Sequence, residues 1–586
     1  MGHPLVPWAA SAAAAALLLA ACQLAPPSAA PMAVRPVARP GSPTLACQSL
    51  LQAFSHPATR LTAVESVAAG SVTLPGIAEP MPAHCRVLGR MHERTGSVDG
   101  KPYAIGFELR LPLAWNGRFF YQANGGLDGL VTPAWGDLLG GGPRSNGVLQ
   151  GFAVLSSDAG HALDRGSPVG GGSFGLDPQA RLDYGWRAVA ELSPMARALI
   201  AAYYGRGPDT AYIVGTSNGG RHALVAAARD SGPFDGVAAV TPGWRLPRAA
   251  VAQVWGAQQF ASVASLDPKT QRPDLNSAFS PAELALLGDA VLARCDALDG
   301  LRDGIVADVE GCQRVFDARR DIAGCEAAGS VAGRCLSETR KAVLARVFGG
   351  PRLRDGAAFY APLPWDSGVR GEDWRNWKFA YSVGNRDAVA LSYVFSTPPQ
   401  VLSGEGNTLL DFALGFDLDR DSGRIFATTG PYQTAAMDFM TPPAADELRA
   451  FLGHGGKLLL AHGASDPVFS ALDTVAWFAA FKARHAARAD DSARLYLVPG
   501  MNHSRGGPAT DQFNLVDALV AWVEQGRRPE ALLATARGPG SNLPNRELPS
   551  DWAPLRTRLL CPYPQVARYN GSGDTEIAAS FRCATP

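Results

Sequence analysis

The stretch Thr210-Ala-Tyr-Ile-Val-Gly215-Thr-Ser217-Asn-Gly219-Gly-Arg-His-Ala-Leu-Val-Ala-Ala-Ala-Arg229 constrains this chain most. Ala211 to Val214 is a short β-branched and aromatic run and reads as a buried strand. The Ala- and Leu-rich segment after Gly220 reads as a helix. Between them, Gly215-x-Ser217-x-Gly219 has the pattern of a nucleophile elbow: a serine on a strained strand-to-helix turn, with glycines where side chains would clash. The pentapeptide alone arises by chance, and an ordinary βα turn is the plain alternative. The flanking strand and helix give the pattern its weight.

The surrounding sequence reads as α/β. Arg118-Phe-Phe-Tyr-Gln122 is a strand candidate that runs into Ala123-Asn124-Gly125-Gly126-Leu127-Asp128-Gly129. A glycine-rich turn there, upstream of the elbow, is where such hydrolases place part of the oxyanion hole, so Gly125 and Gly126 are candidates beside the N–H of Asn218. A flexible turn is the alternative. Gly151–Ser157 and Gly236–Val240 read as further strands, and Tyr184–Tyr204 reads as a helix. Residues 47–110 look like antiparallel strands. Strand and helix alternate from about residue 115 to 243, which argues for a parallel sheet. The alternation stops after Trp244 and resumes near Asp446, so residues 245–440 read as an inserted lid. Lys457–Ala461 and Arg494–Val498 are strands, and Ser470–Phe481 and Thr510–Gln525 are helices. The expected fold is an α/β hydrolase made of residues 47–244 and 441–586, with the insertion between.

Triad order then picks out the catalytic set. The order is serine, acid, histidine, each on a loop after a strand. Asp466 follows the 457–461 strand and His503 follows the 494–498 strand. His503 would take the Ser217 proton, and Asp466 would fix its tautomer and stabilise the imidazolium. His462 and His222 are alternative bases. His462 breaks the order, and His222 sits on the elbow helix. His161 reads as structural.

The N-terminus reads as an export signal. Ala9–Ala21 is apolar and too short to span a bilayer. It ends in Leu19-Ala20-Ala21-Cys22, which resembles a lipobox, although the first ten residues lack Lys and Arg. Residues 1–21 are therefore an expected signal peptide, with lipidation at Cys22 and a plain secretory cut as the alternative. Residues 22–46, rich in Pro and Ala, are an expected extended tether. The destination is the periplasm or outer membrane, or the medium. Lys+Arg and Asp+Glu balance at 53 each, so nothing points to nucleic acid. A monomer touching membrane only through its lipid is expected. Besides Cys22 there are eight cysteines: Cys47, Cys85, Cys295, Cys312, Cys325, Cys335, Cys561 and Cys583. An even count in an exported chain suggests disulfides. Sequence leaves the connectivity open, and pairing of neighbours is the simplest choice.

Inside the insertion, Cys295-Asp296-Ala-Leu-Asp299-Gly-Leu301-Arg-Asp303-Gly-Ile305 gathers carboxylates and glycines. Asp296, Asp299 and Asp303, with the carbonyls of Leu301 and Ile305, suit a hard cation such as Ca²⁺. An acidic solvated turn is the alternative. Asp417-x-Asp419-x-Asp421-x-Gly423 lacks the closing Glu of a calcium loop and reads as polar surface.

With these pieces in place the chain resembles the tannase/feruloyl esterase family. The motifs that carry the resemblance are Asp183-Tyr-Gly-Trp-Arg-Ala-Val, Ala201-Ala-Tyr-Tyr-Gly205, the Ser-x-Gly-Gly-Arg elbow, Cys295-Asp-Ala-Leu-Asp-Gly-Leu-Arg-Asp-Gly, Pro499-Gly-Met-x-His503, and the ending from Cys561 to Asp574. The resemblance implies an α/β hydrolase with a lid, a structural Ca²⁺ in the lid, and hydrolysis of aromatic carboxylic esters of feruloyl, galloyl or terephthalate-monoester type. It also implies four bridges among the eight cysteines. The family usually joins a cysteine before the nucleophile to one after the histidine. Those places here hold Thr216 and Ser504, so the two residues are expected to be neighbours on looser catalytic loops. Phe395, Phe412, Phe416, Trp374 and Trp377 are candidate aromatic walls. Hydrolysis of aliphatic hydroxyacid esters and a non-catalytic ligand-binding lipoprotein are the competing readings.

Overall fold

The computed structural model describes residues 1–2, 36–142, 144–229, 232, 234–326, 333–441 and 448–586. The expected signal run and Cys22 lie outside the described residues. Val34–Pro586 forms one compact unit.

Nine strands make the main sheet: β1 Thr59–Val67, β2 His84–Thr95, β3 Pro102–Pro112, β4 Arg118–Ala123, β5 Ala153–Ser157, β6 Thr210–Thr216, β7 Gly236–Val240, β8 Lys457–Gly463 and β9 Ala493–Val498. Their order is β1-β2-β3-β5-β4-β6-β7-β8-β9. The first three and the β3/β5 pair are antiparallel, and β5 through β9 run parallel. The parallel strands are short and apolar because both faces are covered. Along β6, Ala211 and Ile213 enter one core while Tyr212 and Val214 enter the other. The first core is shared with helix α1 (Ala188–Tyr204), α2 (Asn218–Arg229) and the insertion. The second is closed by α4 (Leu515–Gln525), whose Leu515, Leu519 and Trp522 face the sheet. Between these helices in sequence, α3 (Ala471–His485) follows β8.

The chain between β7 and β8 adds no strand to the main sheet among the described residues and is largely helical. Its Leu246–Ala261 helix packs in the first core, and Trp377–Arg386 is wound as a π-helix. After β9 the chain adds two small hairpins, β10 Leu532–Thr535 with β11 Thr557–Leu560, and β12 Val566–Tyr569 with β13 Phe581–Ala584.

Several expectations need correction. The tether assigned to residues 22–46 is not a tether at its end. The Ala38 N–H donates to Glu524 at 3.0 Å, the Arg39 N–H to Asp209 at 2.8 Å, and Gly41 pairs with Trp115 as an isolated bridge. The helix expected from Thr510 begins at Leu515, because the Asn514 side chain accepts the Asp517 N–H and caps it there. Gln512 instead bridges to Thr535. The emphasis on a missing bridge is corrected by four disulfides, Cys47–Cys85, Cys295–Cys312, Cys325–Cys335 and Cys561–Cys583, which engage all eight cysteines outside residue 22. They are the neighbour pairs.

Candidate active site

Ser217 sits between β6 and α2 with φ of +61°, in the left-handed region that a serine rarely adopts. The flanking glycines make this turn possible. A Cβ on Gly215 would lie 2.4 Å from the backbone of Gly219, and one on Gly219 would lie 2.2 Å from the carbonyl oxygen of Ala123. Strand, turn and helix are pressed together too closely for any side chain.

The three catalytic candidates meet, although 37 and 286 residues separate His503 from its two partners. His503 Nε2 stands 2.8 Å from Ser217 Oγ, and Nδ1 stands 2.9 and 3.0 Å from the two Asp466 oxygens. A carboxylate only accepts, so Nδ1 carries the proton and Nε2 is left to accept from the serine hydroxyl. All three side chains are buried. Asp466 Oδ1 also accepts the N–H groups of Val468 and Phe469 at 2.7 and 3.1 Å, which fixes the carboxylate plane. Burial pushes the Asp466 pKa up, but His503 and then His462 outweigh it and hold the carboxyl well below its ordinary value.

The glycine-rich loop lies against the nucleophile. A Cβ on Gly125 would sit 3.3 Å from Thr216 O and 3.6 Å from Ser217 Cβ. Gly126 follows with φ of +70°, and its carbonyl accepts from Tyr184 OH at 3.1 Å. Asn218 opens α2, where the first backbone N–H groups have no partner within the helix. A serine beside a base that an acid orients is an arrangement that can carry out acyl transfer, and the glycine-rich loop and the first turn of α2 flank it.

A model of the family described as "Tannase and feruloyl esterase" matches residues 85–584. This chain belongs to that family. It is a carboxylic ester hydrolase. It is 39% identical over 534 residues to mono(2-hydroxyethyl) terephthalate hydrolase of Piscinibacter sakaiensis, covering 87% of this chain and 86% of the relative. It is 28% identical over 491 residues to a probable feruloyl esterase of Arthroderma benhamiae, covering 81% of each. The crystal structure of feruloyl esterase B from Aspergillus oryzae superposes with a TM-score of 0.68 at 22% identity, over 92% of this chain and 99% of that one. That likeness establishes the α/β-hydrolase fold.

The other histidines that the sequence of this family member singled out, His462, His222 and His161, are otherwise engaged. His462 Nδ1 pairs with Thr474 Oγ1 at 2.9 Å and Nε2 with the Phe469 carbonyl at 3.1 Å, with Asp466 Oδ2 3.2 Å away. It stands behind the acid, not beside the serine. His222 Nε2 contacts Asp128 at 3.0 Å, and His161 Nε2 contacts the Leu127 carbonyl at 2.8 Å. Thr216 and Ser504 are neighbours, as expected: Thr216 Oγ1 donates to Ser504 Oγ at 3.0 Å, and Thr241 Oγ1 lies 2.8 Å from the same oxygen. Of the aromatic candidates, the Trp377 ring reaches the triad, 5.2 Å from the His503 ring. Phe469, which the sequence did not single out, lies 5.5 Å from it. Trp374, Phe395 and Phe416 are buried in the first core, with Phe412 packed against Phe416.

Asp366 was also not singled out. It is buried and accepts from Ser465 Oγ, from Gly368 N–H and from Gly500 N–H, thereby tying the insertion to both the acid loop and the histidine loop. No local pattern marks it, because the partners that tie it to the two loops, Ser465 and Gly500, lie 99 and 134 residues away.

Among the described residues no group of three or more His, Cys, Asp or Glu side chains is arranged to hold a metal ion. The acidic loop turns its carboxylates onto itself. Asp296 accepts the N–H groups of Asp303, Gly304 and Ile305, Asp299 accepts that of Leu301, and Asp303 pairs with Arg558. The donor set still suits a hard cation, being all oxygen. Burial, with Asp303 and Asp296 close by, pushes Asp299 up to about 7. A cavity of about 40 Å³ is lined by Asp299, Asp303, Ile305 and Arg558 among others. Asp417 caps the turn Leu418–Asp421 and pairs with Arg354 at 3.1 Å.

Proposed function

We propose that this chain is an exported serine esterase that hydrolyses aromatic carboxylic acid esters through an acyl-enzyme. The observation that carries the reading is the 2.8 Å approach of His503 Nε2 to Ser217 Oγ with Nδ1 held by Asp466. Ser217 Oγ attacks the ester carbonyl and passes its proton to His503 Nε2. The oxyanion takes hydrogen bonds from the N–H of Asn218 and of Gly125 or Gly126. His503 then protonates the leaving alcohol, and a water activated by the same histidine releases the acid from Ser217.

The aromatic half of the reading rests on Trp377 and Phe469 beside His503, and on the relatives named above. The insertion serves as the lid: it contributes Trp377 to the site and Asp366 to both catalytic loops. Four disulfides fit an oxidising compartment, which supports export, with Cys22 as the lipid anchor and the chain acting as a monomer. A structural Ca²⁺ would be held by Asp296, Asp299, Asp303 and the carbonyls of Leu301 and Ile305. It would supply positive charge to Asp296 and Asp299, beside the Arg558 guanidinium that already pairs with Asp303. EGTA is expected to lower the melting temperature of the purified protein, with recovery on adding Ca²⁺ but not Mg²⁺; an unchanged melt removes the calcium assignment.

The test of function is hydrolysis of methyl gallate, methyl ferulate, mono(2-hydroxyethyl) terephthalate and a short aliphatic nitrophenyl ester, with Ser217→Ala as control. Turnover of at least one aromatic ester that Ser217→Ala abolishes is the expected result. Turnover of the aliphatic ester alone overturns the aromatic assignment, and turnover that survives Ser217→Ala overturns the mechanism.

A further inference from the structure

Asp128 is an acid in an otherwise glycine-rich and apolar turn, and its side chain is buried. Its Oδ2 accepts from Asn218 Nδ2 at 2.9 Å and stands 3.0 Å from His222 Nε2. Asn218 Oδ1 in turn accepts from Arg221 Nε at 2.6 Å. Arg221 anchors on the carbonyls of Tyr184, Gly185 and Met440. Arg221 Nη2 lies 3.2 and 3.4 Å from the two ring nitrogens of His222, and Asn218 Nδ2 lies 3.1 Å from its Nε2, so the ring is held inside the same network. Burial and the Arg221 charge hold His222 far below its ordinary pKa, so it stays neutral. Tyr184 OH also reaches the loop, at the Gly126 carbonyl, and His161 holds the Leu127 carbonyl.

The two sets of N–H donors proposed for the oxyanion come from different elements. One belongs to the glycine-rich loop after β4, the other to the first turn of α2. They act together only if their separation is fixed to a fraction of an ångström. The buried carboxamide of Asn218 makes that connection.

We propose that Asn218 acts twice: its backbone N–H binds the oxyanion, and its side chain, through Asp128 and His222, is the positioning clamp that sets the distance between the two halves of the oxyanion hole. This rests on the serine-esterase reading above. Both polar atoms of the Asn218 side chain are partnered inside this buried network, which is what holds the carboxamide in one orientation. The sequence pattern tolerates any residue at the position after the serine. The tertiary contact makes the amide at this position specific.

The experiment is a double-mutant cycle on the full-length protein, with Ser217→Ala assayed alongside. Asn218→Ala keeps the backbone N–H and removes the clamp. Its kcat is expected to fall about tenfold to a hundredfold, as for a displaced catalytic group, with KM changed less than about threefold. Affinity for a phosphonate analogue of the tetrahedral state should fall in parallel with kcat/KM. Asn218→Asp places two carboxylates together and should be worse. Asn218→Asp with Asp128→Asn restores a donor–acceptor pair with the roles reversed and should recover at least tenfold of the loss. A variant that melts below the assay temperature is replaced by His222→Gln, which trims one arm of the clamp and should show the same kcat-selective loss. Wild-type kcat in folded Asn218→Ala, or a double variant no better than the worse single one, overturns the clamp while Ser217→Ala remains inactive. Activity surviving in Ser217→Ala would instead overturn the esterase mechanism and the clamp with it.

Discussion

At the scale of single residues the elbow sets two effects against each other at Gly219. Alanine is a better helix residue than glycine by about 1 kcal/mol, which favours Gly219→Ala. The added Cβ, however, would sit 2.2 Å from the Ala123 carbonyl oxygen and 2.9 Å from that of Asn124, backbone atoms at the end of β4 and the start of the glycine-rich loop. Backbone cannot swing aside as a long side chain can, so the loop must move. The clash outweighs the helix gain, so Gly219→Ala is expected to melt lower than the wild type and, where it folds, to lose about a hundredfold or more in kcat, the scale of a lost oxyanion donor. Wild-type kcat in this variant would show that the loop is not part of the machinery. Much of this scale was legible: Ser217, Asp466 and His503 were found by order and spacing. His462 was not settled by sequence, since only its contacts with Thr474 and Phe469 turn it away from the serine.

At the scale of elements, Glu524 near the end of α4 gathers the far end of the sheet. Its carboxylate accepts from Arg118 on β4 at 2.7 Å through both nitrogens, and from Thr210 and Tyr212 on β6 at 3.0 and 2.8 Å. Burial works to raise its pKa, but Arg118, the Ala38 N–H and Tyr212 outweigh this and leave it lowered. A carboxyl with a folded pKa below its unfolded one stabilises fully above the ordinary glutamate range, and that contribution is lost as pH falls through the folded value. Glu524→Gln is expected to cost about 2 kcal/mol in urea unfolding at pH 7, because half-buried Arg118 loses the charge of its partner. The gap to the wild type should narrow steadily on acidification below the ordinary glutamate range. A gap independent of pH would place the effect in packing instead. The sequence marked Thr510–Gln525 as a helix but said nothing of Glu524, whose partners on β4 and β6 lie more than 300 residues away.

At the scale of the whole molecule, the N-terminal segment closes onto the same point. Ala38 reaches Glu524, Arg39 reaches Asp209, and Gly41 pairs with Trp115. A chain starting at residue 44 therefore loses backbone hydrogen bonds that one starting at residue 36 keeps. Each is worth about 1 kcal/mol, so the shorter chain should melt a few degrees lower. Equal melting temperatures would mean that this docking adds nothing to stability. The composition of the segment argued for a tether because Pro and Ala cannot build a core. It docks through main-chain groups, which composition does not reveal.

The sequence by itself determined the elbow, the order of the triad, the parallel strands and the family motifs. Each of these is written in neighbouring residues whose spacing follows from strand and helix periodicity. Only the tertiary structure decided where His462 turns, that Trp377 and not Trp374 lies beside His503, that Asp366 reaches both the acid loop and the histidine loop, and that Asn218 is tied to Asp128. Those outcomes depend on hydrogen bonds and ring contacts between residues far apart in the chain. No local periodicity encodes them, and they exist only once the sheet has fixed the loops in space.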